Sequence, residues 1–71
     1  MHNLITNAMK EGMFVNVFID PIEQSILEGT ATLVKFKADF EHLELWEVTF
    51  KDSPNHIYER YLKKQSCSAI N

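Results

Sequence analysis

The clearest pattern in the sequence lies within residues 43–51, where Trp46, Val48 and Phe50 are separated by single polar residues. Side chains of an extended strand alternate between its two faces, so the three apolar residues share one face and their polar neighbours share the other. The pattern predicts an antiparallel strand with one buried and one solvated face. A chain built around such a strand has to fold as a sheet that covers the apolar side.

Three further runs of β-branched and aromatic residues predict strands, which span residues 13–19, 26–38 and 57–62. The predicted connections are a loop at residues 20–25, a link at 39–42 and a turn at 52–55. Within the second strand, Gly29 predicts a bulge or a sharp bend. A bulge or a strongly coiled strand is expected after Leu33, because the apolar positions then slip to Val34 and Phe36.

Length and composition limit the fold to one small domain. The 71 residues are 45% apolar and 24% charged, which is enough core material for folding but not for two domains. Four short strands bury one apolar face by curling into a small barrel, which predicts a mainly β fold of four to five antiparallel strands. We assign residues 12–64 to this barrel, residues 1–11 to a preamble with a short turn or helix, and residues 65–71 to a tail.

Several short motifs in chain order add a resemblance to this prediction. They are Asp20-Pro21, Glu28-Gly29-Thr30-Ala31-Thr32-Leu33, Trp46-Glu47-Val48-Thr49-Phe50 and Glu59-Arg60. Together they resemble small SH3-like barrels of the Tudor and chromo-barrel type, and in particular short open reading frames of phages and mobile elements. The resemblance covers about residues 10–64 and implies the SH3-like barrel fold. It implies no reaction, because that group has no agreed function.

Several function classes are disfavoured by what the sequence contains. The three histidines have no metal-ligand spacing and no glycine-rich phosphate loop is present, so we expect no catalytic site, no metal and no cofactor. Cys67 is the single cysteine, which favours a reducing compartment such as the cytoplasm. No signal peptide or membrane span is predicted. The net charge of −3 disfavours a general attraction to nucleic acid or anionic membrane.

The leading functional hypothesis is a protein-interaction module. Its surface would combine the loop at residues 20–25 with Phe40 and the acidic side chains near it, which suits a basic partner. The predicted docking residues are Asp20, Glu23, Phe40, Glu41 and Glu44. A solvated face without a partner is the simpler explanation of the same acidic residues.

The alternative hypothesis is a small barrel that binds nucleic acid. Cations interleaved with aromatic rings suit the stacking of unpaired bases. The residues that would form this face are Lys35, Lys37, Tyr58, Arg60, Tyr61 and Lys63. The same residues are also explained if the tyrosines fill the barrel and the cations keep an edge strand soluble.

The first strand suggests a possible homodimer. Val15, Val17 and Ile19 are predicted to share its inner face, which leaves Phe14 and Phe18 on the opposite face. Apolar side chains on both faces predict that both are covered. Either the preamble or a second copy of the chain would cover these two phenylalanines and Phe40.

Overall fold

A computed structural model describes residues 9–64, which form four β-strands. The strands are β1 (Phe14–Phe18), β2 (Leu27–Asp39), β3 (Leu43–Phe50) and β4 (Ser53–Lys63). No helix occurs in this part of the chain, and so none that could cross a membrane. The predictions for residues 1–8, for the tail 65–71 and for Cys67 lie outside the described residues.

The four strands form one antiparallel sheet in the order of the chain. The mainly β, antiparallel prediction is confirmed. The sheet is open, because within residues 9–64 β1 and β4 share no ladder of hydrogen bonds. The sheet curls until the two edges approach each other, with Phe18 and Pro21 lying opposite Tyr61 and Leu62. We call this gap between the free edges of β1 and β4 the seam.

The inner face of the curled sheet carries the hydrophobic core. Trp46 and Val48 are buried, as the alternation in β3 predicts, and Phe50 packs against them from the side. The Phe36 ring meets the Trp46 ring edge-on at 5.7 Å between centroids. The remaining buried residues are Val15, Val17, Ala31, Leu33 and Leu62. All four strands therefore contribute to one core, as expected for a small sheet that has to bury one face.

Both predicted irregularities of β2 are present. The register pairs Val17 with Gly29 and then Phe18 with Leu27, which leaves Glu28 as an extra residue. A Cβ at Gly29 would lie 3.2 Å from the Phe50 ring, so the core packs closely against the backbone here. A second shift leaves Val34 unpaired between Leu33 and Lys35, as the slip of apolar positions predicts.

Two local predictions are wrong. Ile19 was expected in the core but is 64% exposed, because β1 ends at Phe18 after a register shift that ends the alternation. Phe14 is 45% exposed, and its cover by the preamble or by a second copy stays a prediction, because residues 1–8 lie outside those that the structure describes. The last turn consists of Lys51 and Asp52 alone, and β4 already begins at Ser53. Proline is tolerated in the strand that follows, because β4 is an edge strand.

Candidate docking surface

The predicted basic face is not a free surface, and Arg60 shows this most clearly. Its Nε and one terminal nitrogen donate to the two carboxylate oxygens of Glu28 at 2.9 and 2.8 Å. The remaining terminal nitrogen donates to the Glu59 carbonyl at 2.9 Å. The hydrogen bonds from Arg60 to Glu28 also raise the pKa of the Arg60 guanidinium. Arg60 thus links β4 to the Glu28 bulge of β2 across the seam.

The same guanidinium covers an aromatic pair. Phe50 and Tyr58 meet edge-on at 5.6 Å between ring centroids, and Arg60 lies 5.6 Å from the first ring and 5.3 Å from the second. Such distances are within the range of cation–π attraction. These side chains, with Glu28, line an open cleft of about 490 Å³. Two residues of the predicted nucleic-acid face, Tyr58 and Arg60, therefore serve the packing of the sheet.

Two predicted lysines are also engaged. Lys37 Nζ lies 3.4 Å from a Glu47 carboxylate oxygen and 3.9 Å from one of Glu59. Lys63 Nζ donates to the Ile22 carbonyl at 3.1 Å, which adds a second polar contact across the seam. Lys35 is exposed and forms no ion pair within residues 9–64. The predicted basic face thus retains one uncommitted cation in the described part of the chain.

Asp20, predicted as a docking residue, holds its own loop together. Its carboxylate accepts hydrogen bonds from the Ser25 hydroxyl, from the Ser25 amide at 3.0 Å and from the Ile26 amide at 2.9 Å. These bonds, led by the one from the Ser25 side chain, lower the pKa of Asp20 from 3.8 to about 2. Gln24 takes a positive φ of 57° inside the same loop. The Asp20 carboxylate is therefore used within the fold.

Glu44 is a second predicted docking residue that turns inward. Its Oε1 accepts a hydrogen bond from the Trp46 indole nitrogen at 2.8 Å. A buried indole N–H needs such a partner, since leaving it unpaired would cost free energy. Glu44 therefore satisfies the core tryptophan and does not point freely into solvent.

Phe40 and Tyr61 form the aromatic pair that remains open. Their ring centroids are 5.6 Å apart with an interplanar angle of 61°. Phe40 is 45% exposed and Tyr61 is 47% exposed. The sequence placed these residues on two different candidate surfaces, one for protein and one for nucleic acid. The structure brings them together because the β2–β3 connection lies beside the end of β4, where the Lys64 amide donates to the His42 carbonyl.

A groove continues this aromatic pair along the seam, and we call it the seam groove. It has a volume of about 290 Å³. Its lining residues are Phe18, Ile19, Pro21, Glu28, Glu59, Arg60 and Tyr61. Sequence reasoning placed the loop that contains Pro21 in the docking surface but did not single out Phe18 or Ile19 as part of it. The groove could have been found from two sequence features: Phe18 lies on the face of β1 opposite the core, and the loop that contains Pro21 follows it directly.

The two remaining predicted acidic residues are available. Glu23 lies exposed in the loop that contributes Pro21 to the groove, and Glu41 lies exposed directly after Phe40. The Nε2 atom of His42 lies 3.8 Å from a carboxylate oxygen of Glu41. Within residues 9–64 neither glutamate forms an ion pair with lysine or arginine.

Residues 9–64 contain no group of three histidine, cysteine, aspartate or glutamate side chains arranged to hold a metal ion. Comparisons of the chain with protein-family models, with characterised proteins and with solved structures find no match.

Proposed function

We propose that this chain is a non-enzymatic protein-interaction module that docks a protein partner on Phe40, Tyr61 and the seam groove. The observation that carries the proposal is the Phe40–Tyr61 pair, two aromatic rings in contact that are both nearly half exposed. Rigid aromatic side chains beside a groove are the usual anchors of protein interfaces. Glu23 and Glu41 belong to the rim of this surface.

The SH3-like barrel is part of the same proposal. It is supported by the sheet order, by the close approach of β1 and β4, and by the polar contacts that cross the seam from Arg60 and Lys63. An origin in a phage or mobile element and a cytoplasmic location rest on the motif resemblance and on the single cysteine. We include both in the proposal.

The nucleic-acid hypothesis receives less support from the geometry. Phosphate binding needs several cations that can leave their present partners. Arg60 is held by two charge-assisted hydrogen bonds to Glu28, and Lys37 lies near two carboxylates. Titration of labelled single-stranded DNA and RNA at low salt separates the hypotheses. If DNA or RNA binds tightly and Lys35→Ala and Lys37→Ala abolish the binding, the partner is a nucleic acid and not a protein.

The docking surface is tested by capture of partners from a lysate of the organism that encodes the chain. Immobilised wild-type protein is compared with the double variant Phe40→Ser/Tyr61→Ser. The matched control is Phe14→Ser/Ile57→Ser, because these exposed apolar residues lie outside the seam groove. We expect wild type and control to retain the same enriched proteins and the Phe40/Tyr61 variant to lose them. Equal capture by all three would contradict the proposed surface.

A further inference from the structure

We infer that the partner presents an extended basic segment, which places an apolar side chain in the seam groove and directs lysine or arginine toward Glu23 and Glu41. The inference rests on the proposed function, since it names the class of segment that the same surface receives. Three features of the described residues support it: whether the cations already have partners, whether the carboxylates already have partners, and which backbone groups are exposed at the seam.

The cations around the groove already have partners. Arg60 is bound to Glu28, and Lys63 donates to the Ile22 carbonyl. Lys64, at the end of β4, lies 2.6 Å from an Asp39 oxygen. An acidic segment would therefore have to displace an existing interaction for every new ion pair. The free energy gained by such an exchange is small.

Among the carboxylates, Glu28 in the groove is bound to Arg60, whereas Glu23, Glu41 and Glu59 are less committed. Glu23 and Glu41 form no ion pair with lysine or arginine within residues 9–64, and each is next to an exposed apolar residue, Ile22 or Phe40. Glu59 lines the groove itself, and its one cationic neighbour in the described chain is Lys37 at 3.9 Å. Rim charges of one sign speed the approach of a partner of the opposite sign. A basic segment is the complementary one.

The backbone at the seam favours an extended segment. Leu43 pairs with Lys63, and the next residue, Lys64, donates its amide to the His42 carbonyl at 3.1 Å. Because paired residues alternate along an antiparallel ladder, Glu59 and Tyr61 direct their amides and carbonyls away from β3. The Glu59 carbonyl already accepts a hydrogen bond from Arg60, so within residues 9–64 the groups without a partner are the Glu59 amide and the Tyr61 amide and carbonyl. Such groups on an edge strand are the usual site for an added extended chain.

A second copy of this chain suits the surface poorly. It would bring an identical pair of carboxylates, Glu23 and Glu41, to the interface, and the chain as a whole carries a net charge of −3. Like charges that face each other across an interface weaken association. Self-association through this surface would contradict the inference.

The test uses nuclear magnetic resonance titration of the full chain with three short acetylated peptides. In the first, lysine alternates with leucine; in the second, glutamate replaces lysine; in the third, serine replaces leucine. We expect the first peptide alone to shift the resonances of Phe18, Phe40 and Tyr61 in a saturable way. Glu23→Gln/Glu41→Gln should weaken this binding by about three- to tenfold. The control Glu11→Gln/Asp52→Asn, which removes the same charge elsewhere, should leave it within about twofold.

The outcomes separate the inference from the proposed function. The inference of a basic segment is wrong if the glutamate peptide binds as well as the lysine peptide. It is also wrong if Glu23→Gln/Glu41→Gln binds the lysine–leucine peptide as the control Glu11→Gln/Asp52→Asn does. In either case, loss of lysate capture by Phe40→Ser/Tyr61→Ser would still support the docking surface. If the lysine–leucine peptide shifts only resonances outside the groove, the inferred position is wrong. Concentration-dependent shifts of the same residues without peptide would identify a second copy and overturn the basic segment.

Discussion

Two edge-to-face aromatic pairs in this molecule have nearly the same geometry and different surroundings. The centroid distance is 5.6 Å for Phe50–Tyr58 and for Phe40–Tyr61. The first pair is covered by the Arg60 guanidinium and packs against the core. The second pair lies on the outer side with no such cover among the described residues, and both of its rings are nearly half exposed.

The difference shows how one kind of contact can serve stability in one place and recognition in another. Arg60 is held over its rings by Glu28, so that cluster has its cation, its carboxylate and its aromatic faces within one chain. The Phe40–Tyr61 pair has acidic neighbours and an open groove, and no lysine or arginine of residues 9–64 lies over either of its rings. In the proposed complex, the partner supplies the cation that the Phe40–Tyr61 pair lacks.

The largest expected effect is on the free energy of unfolding, and it distinguishes Phe50 from Phe40. Phe50→Ala should lower the free energy of unfolding by about 2–3 kcal/mol, because it removes a core contact and the support under Arg60. Phe40→Ala should change it by less than about 1 kcal/mol, since its ring is exposed. Urea unfolding followed by Trp46 fluorescence measures both. Equal losses in the two variants would remove the distinction between the pairs.

Removal of Arg60, which covers the Phe50–Tyr58 pair, should have the next largest effect on the free energy of unfolding. Arg60→Ala should lower the free energy of unfolding by about 1–2 kcal/mol, through the lost packing on Tyr58 and the lost ion pair. Arg60→Lys should recover less than half of this, because lysine cannot form the two parallel bonds to Glu28. A double-mutant cycle with Glu28→Gln isolates the pair. No coupling in that cycle would mean that the ion pair does not hold the cluster closed.

The smallest effect concerns acid sensitivity at the edge of the seam groove. The pKa of Asp20 is about 2 in the folded chain and near 3.8 without its loop contacts. Because folding lowers this pKa, the contribution of Asp20 to stability is fully present above a pH of about 4 and is lost as the pH falls toward about 2. The amide resonances of Ser25 and Ile26 should follow this titration. In Asp20→Asn that titration should be absent, and its persistence would assign it to another group.

Much of the fold could be predicted from local patterns. The alternation around Trp46 identifies β3 because a period of two is specific to half-buried strands. Gly29 and the apolar slip after Leu33 indicate two irregularities in β2, because each breaks a pattern that a regular strand would keep. Ile19 shows the limit, since its face depended on where β1 ends.

The site was less predictable, because it depends on contacts between distant parts of the chain. Nothing in the sequence around Arg60 indicates that Glu28 will neutralise it, or that Phe40 will meet Tyr61. These pairings follow from how far the sheet curls and where its bulges lie. Residue type alone also assigned Asp20 and Glu44 to the surface, whereas their carboxylates satisfy donors of the fold.

The most direct test compares the two tyrosines in one pair of measurements, urea unfolding and capture of partners from lysate. We predict that Tyr58→Ala lowers the free energy of unfolding by about 2 kcal/mol, whereas Tyr61→Ala changes it by less than about 1 kcal/mol and abolishes capture. A Tyr61→Ala protein that is less stable than Tyr58→Ala, or that captures the same partners as wild type, would contradict the account.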